Sequence, residues 1–267
     1  FTERAEILSR HGRVFELLNR NETVALEPAL TATARGGLFV HCEGQVDNRR
    51  LGRALLAACE RNGVDVLSNC TVHAIQTDTR RVLGLRTSAG FVAAGVVVNA
   101  TGAWSAQLGG VPPACAAAVF PVKGQMLSLE IPKGFMRHVT WCGATYFVPR
   151  SDGRLLVGAT VENEGFDARP NAQGAAKLLN AALKAAPALR NFTISETWAG
   201  LRPATPDARP FIGQTALGGY YLAAGHYRNG ILLAPSTGAL LADVLEGKEN
   251  AFAGAVGPTR AMPEPVS

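Results

Sequence analysis

A strand block, a series of consecutive strand patterns between residues 119 and 160, leaves few folds open to this sequence. Its segments read VFPVKGQMLSLE, HVTWC, TYFVPR and RLLVGAT, and they are joined by turns such as Ser151-Asp152-Gly153. Strands that follow one another without helices predict an antiparallel or mixed sheet. Helix and strand patterns are mixed both before and after this block. We therefore expect one domain inserted between two parts of another.

The regions that flank the strand block resemble parts of an α/β fold. An amphipathic helix follows Asp47, with apolar residues at helical spacing and Gly63 as its C-cap. The apolar run at residues 96–98 predicts a strand buried on both faces, and it ends in Asn99-Ala100-Thr101-Gly102. The carboxyl ends of such strands are where open α/β sheets bind their ligands, so we expect a ligand beside this loop.

Periodicity and capping residues predict the remaining elements. They are two short helical pieces in residues 1–20, a further turn of helix in 21–34, a strand at 38–42, two short strands in 64–76, strands in 82–87 and 91–93, a helix from Asn171 to about Ala186, strands at 194–201, 210–213 and 220–224, a helix at 231–245 closed by Gly247, and a loose tail from about Asn250.

Composition and charge exclude several classes of protein. The net charge of +5 comes from scattered Lys and Arg residues without interleaved aromatics, which indicates a mildly basic enzyme surface rather than a nucleic-acid partner. The five cysteines contain no CxxC pair, so we expect reduced, mostly buried thiols and no metal site. The longest apolar run is too short to span a membrane. Residues 1–20 do not resemble a signal peptide, so we expect a cytoplasmic protein or a piece of a longer chain.

Two arginines carry the clearest chemical signal. No nucleophile or metal arrangement has plausible spacing, and no G-x-G-x-x-G or G-x-x-x-x-G-K-[ST] loop occurs, which argues against a complete nucleotide site in this chain alone. Arg202 and Arg228 lie in Gly/Pro-rich turns that border strands. A guanidinium matches a carboxylate through two hydrogen bonds, so either arginine can hold an amino acid. The alternative is structural: Arg202 pairs with Asp207, and Arg228 covers a helix end.

The helix that follows Asn229-Gly230 supplies a second indication. Its first turn presents unpaired N–H groups and a positive dipole end, which suit an anion or an electron-rich ring edge. Gly225 and Gly230 allow close backbone approach, and Pro235 is acceptable only in a first turn. An ordinary buried helix is the alternative.

Aromatic residues offer a weaker signal. Tyr146 lies in the strand block, where its hydroxyl can reach a substrate carboxylate or simply pack at a core or edge position. Trp104, Trp141 and Trp198 are predicted to be packing residues.

Five ordered motifs together resemble the FAD-dependent D-amino-acid oxidase family. They are VVNATGAWS (97–105), VKGQMLSLE (122–130), YFVPRSDGRLLVGATVE (146–162), GLRPATPDARPFIG (200–213) and GHYRNGILLAP (225–235). Within that family the chain looks most like the bacterial glycine oxidases of thiamine biosynthesis. The resemblance implies a mixed α/β (α+β) fold, with a partial FAD-binding, Rossmann-like domain in residues 47–118 and 197–248. It places an interleaved substrate-binding domain with an antiparallel or mixed sheet in residues 1–46 and 119–196, followed by a tail at 249–267.

The resemblance also implies roles for individual residues. Arg202 would bind the substrate carboxylate with help from Tyr146, and Arg228 would lie near substrate and flavin. The residues expected to contact FAD are Val72, Ala100, Thr101, Gly102, Gly225, Arg228, Asn229, Gly230, Ile231 and Leu232. Gly200 stands where sarcosine-oxidase relatives carry a cysteine bonded to the flavin, so non-covalent FAD is expected.

The implied activity is oxidative deamination of glycine or a small D-amino acid, giving an imino acid and hydrogen peroxide. Two departures from the family matter. Family members begin with a βαβ unit whose glycine loop cradles the FAD diphosphate, and about a hundred residues of that kind are missing here. Ala144 stands where glycine oxidases often have a histidine, which leaves the substrate open. The alternatives are a flavin-free binding or structural module and a D-amino-acid dehydrogenase with a quinone acceptor. The expected partner is a small amino acid or amine, with no nucleic acid and no membrane span, and a homo-oligomer is left open.

Overall fold

Two units share the chain, and each is assembled from segments that are separated in sequence. The computed structural model describes residues 2–260. The first unit contains Phe1–Asp47, Lys123–Glu162 and Asp167–Gly200, and the second contains Asn48–Val122, Asn163–Phe166 and Leu201–Ser267.

A five-stranded sheet organises the first unit. Its strands are β7 (Phe120–Glu130), β8 (Thr140–Cys142), β9 (Thr145–Pro149), β10 (Arg154–Gly158) and β11 (Ile194–Ala204), in the order β11-β7-β10-β9-β8. Residues 120–122 of β7 and 201–204 of β11 belong to the second unit. The pairs β7–β10, β9–β10 and β8–β9 are antiparallel, which confirms the fold expected of the strand block.

Helix α4 (Ala172–Ala185) forms the core of the first unit with this sheet. Leu178 and Ala182 of the helix are buried in one cluster with residues of β7, β9 and β10, among them Leu127, Phe147 and Val157. The side chain of Asn171 accepts a hydrogen bond from the backbone of Gly174 at 2.9 Å and so caps the helix, as its sequence predicts.

The amino-terminal part of the first unit differs from the prediction. Helix α1 (Thr2–Arg10) and helix α2 (Arg20–Leu26) are present, but the second helical piece expected in residues 11–20 is wrong. In its place β1 (Phe15–Leu18) pairs antiparallel with β2 (Gly37–Val40). The reason is that a short apolar run has no decisive periodicity of its own, so pairing with a distant segment sets its conformation.

The second unit contains two three-stranded sheets. One has the order β12-β13-β6 and is formed by β6 (Val97–Asn99), β12 (Phe211–Gln214) and β13 (Tyr220–Ala224). The other is the antiparallel sheet β3-β4-β5, formed by β3 (Val72–Thr77), β4 (Val82–Thr87) and β5 (Gly90–Ala93). Its helices are α3 (Asn48–Arg61), α5 (Gly230–Leu245) and α6 (Ala253–Val256).

Three predictions for the second unit need correction. Of the two strands expected in residues 64–76, only β3 forms. The strand at residues 96–98 was expected to be buried on both faces, but Val98 is 37% exposed. The reason is that β6 has one hydrogen-bonded neighbour, β13, among the described strands. Pro235 lies at the sixth position of α5, beyond the first turn, where the exposed helix surface allows water to reach the carbonyl that loses its partner.

Cysteines and tryptophans are more exposed than expected. All five cysteines are free thiols, and only Cys115 is buried. Trp104 is 49% exposed and Trp141 56% exposed, because one lies in a short 3-10 turn and the other on the edge strand β8. None of the described helices is both long and apolar enough to cross a membrane.

A buried polar network joins β7 to the start of α4. Lys123 is 1% exposed, and its Nζ lies 3.6 Å from Oε2 of Glu162. The amide of Gln125 donates to Glu162 at 2.9 Å and to Oδ1 of Asn171 at 3.1 Å, while the backbone N–H of Asn171 donates back to Gln125 at 2.8 Å. Desolvation raises the pKa of Glu162, but hydrogen bonds from Thr160 and Gln125 and the charge of Lys123 outweigh it and lower the pKa. Glu162 therefore stays ionised and matches the buried lysine.

The carboxyl-terminal segment is docked rather than loose, which corrects the prediction for residues 250–260. Arg260 donates from Nε to Oδ2 of Asp207 at 2.7 Å and from Nη2 to Oδ1 at 3.0 Å. Further bonds reach the carbonyls of Arg209 and Pro210, and the guanidinium lies 4.0 Å from the ring centroid of Phe211. The side chain of Arg260 thus forms hydrogen bonds to three residues of the turn between β11 and β12. Residues 261–267 of the predicted tail lie outside the described residues.

We predict that Gly174→Ala destabilises the protein although alanine favours helix. A Cβ at position 174 would overlap the amide of Gln125, which the polar network holds in place. We expect the free energy of unfolding to fall by about 1–3 kcal/mol, as overpacked cores do. The matched control is Gly52→Ala in α3, where a Cβ meets no atom within 4 Å. There alanine should stabilise by about 0.5–1 kcal/mol. Urea unfolding measures the free energy of unfolding of both variants. Equal changes in the two would contradict a fixed position of the Gln125 amide.

Arg260→Ala should also destabilise the protein, by about 3 kcal/mol. The substitution leaves the charge of Asp207 without its partner, and the Asp207 side chain is only 11% exposed. The hydrogen bonds from Arg260 lower the pKa of Asp207 to about 2. Since this lies below the unfolded value of about 3.9, the contribution is present above about pH 4 and is lost as the pH falls towards 2. The wild type should therefore lose more stability on acidification than the variant does.

The control for this prediction is Arg169→Ala. Arg169 pairs with Asp167 at 2.7 Å, but its side chain is 88% exposed, so stability should not change measurably. If both arginine variants unfold at the same urea concentration as the wild type, the carboxyl-terminal segment is not held by Arg260.

Candidate functional site

Two loops of the second unit lie at the same edge of a sheet. Strands β6 and β13 are parallel, with Asn99 opposite Leu222, so the loops that follow them leave from the same end. The first loop is Ala100–Thr101–Gly102 and the second runs from Gly225 to Asn229. The carboxyl end of parallel strands is the usual ligand edge of an open α/β sheet.

The buried side chain of Asn99 holds the first loop. Its Nδ2 donates to the carbonyl of Ser105 at 3.0 Å and to Oη of Tyr220 at 2.9 Å, while its Oδ1 accepts from Oγ1 of Thr101 at 2.7 Å and from the backbone N–H at 3.2 Å. Burial raises the pKa of Tyr220, so the phenol stays neutral. Because these groups are satisfied, the loop backbone is fixed. Gly102 has φ +59°, and a Cβ there would meet no atom within 4 Å, so its outer face is open.

A backbone hydrogen bond joins the segments that carry the two arginines. The N–H of Tyr227 donates to the carbonyl of Pro203 at 2.8 Å, one residue from Arg228 and one from Arg202. Gly225 makes this approach possible, because a Cβ there would lie 2.5 Å from Cγ2 of Thr205. Tyr227 itself has φ +50°, an uncommon conformation for a tyrosine and a mark of a constrained loop.

The start of α5 faces outward beside this loop. Asn229 is its N-cap without a side-chain capping bond, and Ile231 and Leu232 are 49% and 78% exposed. The first N–H groups of a helix have no partner inside it, so this end can receive an electron-rich group. The exposed Arg228 lies with its Cζ 5.4 Å from the ring centroid of Tyr227.

His226 is a site residue that the sequence pattern did not single out. Its Nε2 lies 2.9 Å from Oγ1 of Thr237, the eighth residue of α5, and so connects the second loop to this helix. Burial lowers the pKa of His226, so the ring is neutral at pH 7.

Asn99 is a second such residue, since the sequence pattern identified it only as the end of a strand. A polar residue that closes an apolar strand before Thr-Gly is the signal that would have found it.

The remaining predicted residues lie on strands. Arg202 is half-buried on β11, and Asp207, the partner suggested for it, is engaged by Arg260. Val72 begins β3, on a different sheet of the second unit, and is 37% exposed. Tyr146 belongs to the first unit, on β9, with its Oη 3.6 Å from Sδ of Met126. Among the described residues, no three His, Cys, Asp or Glu side chains are grouped to hold a metal ion.

Comparison with known proteins identifies relatives over nearly the whole chain. The bifunctional protein ThiO/ThiG of Synechocystis sp. is 40% identical over 240 residues, which is 88% of this chain and 36% of that protein. The glycine oxidase of Geobacillus kaustophilus is 36% identical over 260 residues, 94% of this chain and 68% of that protein. The crystal structure of glycine oxidase from the same organism superposes with a TM-score of 0.89 at 35% identity, covering 98% of this chain and 73% of that one.

The match to the glycine oxidase structure shows the mixed α/β fold that was expected. The chain spans about a third of the length of the bifunctional relatives. The family model for FAD dependent oxidoreductases (DAO) matches residues 1–244. The chain therefore belongs to this family of FAD-dependent oxidoreductases.

Proposed function

We propose that this chain supplies the substrate and flavin-ring side of an oxidase that deaminates glycine or a small D-amino acid. When bound, FAD would supply hydride acceptance and reoxidation by oxygen, so that the products are an imino acid and hydrogen peroxide. The proposal is supported by the glycine oxidase relatives and by the arrangement of the two loops in the second unit.

The observation that carries the proposal is the backbone bond between Tyr227 and Pro203. It holds the segments of Arg202 and Arg228 side by side, so two guanidinium-bearing segments meet at one edge. A carboxylate is the anion that a planar guanidinium binds best through two hydrogen bonds. We assign carboxylate binding to Arg202 and give Arg228 a place near the reacting end of the substrate.

The residues at this edge fit the ring end of a flavin. The outer face of Gly102 is open, and the first N–H groups of α5 point away from the helix, which suits a flat ring with carbonyl acceptors. We assign FAD contacts to the loop Ala100–Gly102, to Gly225 and to the helix start from Arg228 to Leu232, and an adenine contact to the backbone of Val72. The glycine at position 200 supports non-covalent attachment.

Tyr146 completes the proposed set of substrate residues. Its hydroxyl would donate a hydrogen bond to the substrate carboxylate and so help Arg202 to bind it. Orientation of the substrate accounts for most of the catalysis in this scheme, and no side chain need act as a general base.

We predict that Arg202→Ala lowers kcat/KM for glycine by about 100-fold or more, because a charge-assisted double hydrogen bond to the carboxylate is lost. The measurement is peroxide formation by the FAD-loaded protein. Arg190→Ala is the charge-matched control, since Arg190 is exposed and its Nε donates to the nearby carbonyl of Pro187. It should leave the kinetics unchanged.

The proposal is wrong if the loaded wild type forms no imino acid from glycine or any small D-amino acid, or if Arg202→Ala retains full activity. Each substrate is assayed with oxygen and with an artificial quinone-like acceptor. Turnover only with the latter would reassign the activity to a dehydrogenase.

We also predict that bound flavin is released when the protein is unfolded. After denaturation and ultrafiltration, the visible flavin absorbance should pass entirely into the filtrate, because Gly200 offers no side chain for a covalent bond. Flavin retained with the protein would contradict non-covalent attachment.

A further inference from the structure

Tyr146 lies at one end of a row of three residues that crosses the sheet of the first unit. Gly158 on β10 is paired with Tyr146 on β9, and on its other side Gly158 is paired with Met126 on β7. Residues paired in this way across neighbouring strands project from the same face of a sheet. The tyrosine and the methionine are therefore separated only by a glycine.

The missing side chain of Gly158 creates the space that both neighbours use. A Cβ at position 158 would lie 2.8 Å from Cζ and Oη of Tyr146 and 2.9 Å from Cε of Met126. These separations are far inside van der Waals contact, so any side chain there must move the phenol. Space is thus a reason for glycine at this position, where the two side chains approach the backbone closely.

Met126 and Trp141 both contact the phenol. The hydroxyl of Tyr146 donates to Sδ of Met126 at 3.6 Å, and the ring centroid of Trp141 lies 4.8 Å from that of Tyr146 at an angle of 47°. A thioether is a weak acceptor, whereas a carboxylate is a strong one. A contact of this kind yields readily when a carboxylate arrives.

We infer that Gly158 and Met126 are positioning residues for Tyr146, and that they set how tightly the substrate carboxylate is held. Gly158 leaves the space in which the phenol lies, and the contact with Met126 helps to direct its hydroxyl before substrate binds. This inference rests on the proposed role of Tyr146 in binding the carboxylate.

The test is a double-mutant cycle on the full chain loaded with FAD, with glycine as the substrate. Gly158→Ala should raise KM about tenfold or more while kcat changes little, because one hydrogen bond to a charged group is lost in both ground and transition states. Met126→Leu keeps the volume and removes the sulfur, so KM should rise about threefold. Both effects should disappear in the Tyr146→Phe background. Gly52→Ala, which adds a methyl group in open space, should leave KM unchanged.

The inference is overturned if Gly158→Ala and Met126→Leu act equally with and without the tyrosine hydroxyl, or if they lower kcat at constant KM. Either result would mean that Gly158 and Met126 stabilise the sheet without positioning Tyr146. If Gly158→Ala does not fold, Met126→Leu alone decides, since it changes neither volume nor backbone.

A readout that needs no turnover separates this inference from the proposed function. The four tyrosines are labelled with 3-fluorotyrosine, and the signal missing in Tyr146→Phe identifies Tyr146 by ¹⁹F NMR. Gly158→Ala and Met126→Leu should shift that signal, and Gly52→Ala should not. A shift without turnover of glycine by the wild type overturns the proposed function but leaves the positioning of Tyr146 standing. An unshifted signal overturns the positioning, whatever the activity.

Discussion

The hydrogen bond from Tyr227 to the carbonyl of Pro203 is the interaction on which the candidate site of the second unit depends. It joins the end of β11 to the loop before α5, so the segments that carry Arg202 and Arg228 lie side by side. The bond requires the left-handed backbone of Tyr227 and the close packing of Gly225 on Thr205. A conformation of this kind persists only when its surroundings determine it. Here the His226–Thr237 contact and the Arg260–Asp207 pair hold the neighbouring segments in place.

Buried polar groups fix the position of structural elements in both units. Lys123 with Glu162 in the first unit, and Asn99 with Tyr220 in the second, are each removed from water and each matched by hydrogen bonds or charge. A buried polar group without a partner would cost several kcal/mol of folding free energy, so each network favours the one arrangement in which its groups are paired. The networks therefore fix the position of β7 against α4 and of the loop after β6.

Local patterns predicted the elements whose signal lies within their own residues. Helix α4 has its cap at Asn171, and the antiparallel strands from β7 to β10 are consecutive strand patterns joined by turn residues. Predictions failed where partners are distant. Residues 15–18 form a strand because β2 pairs with them, and the segment before Arg260 is ordered because Asp207, 53 residues away, holds it. No local periodicity contains that information.

Residue types at short spacing were enough to predict the family, the mixed α/β class and the candidate residues in the loop after β6, in the turn after β13 and at Arg202 and Tyr146. Which groups contact one another depends on the tertiary structure. The pairing of Gly158 with Tyr146 and Met126, and the bond between Tyr227 and Pro203, arise from strand register and loop packing. Contacts between separate segments form only when the whole chain buries its apolar faces together, which is why spacing along the sequence did not show them.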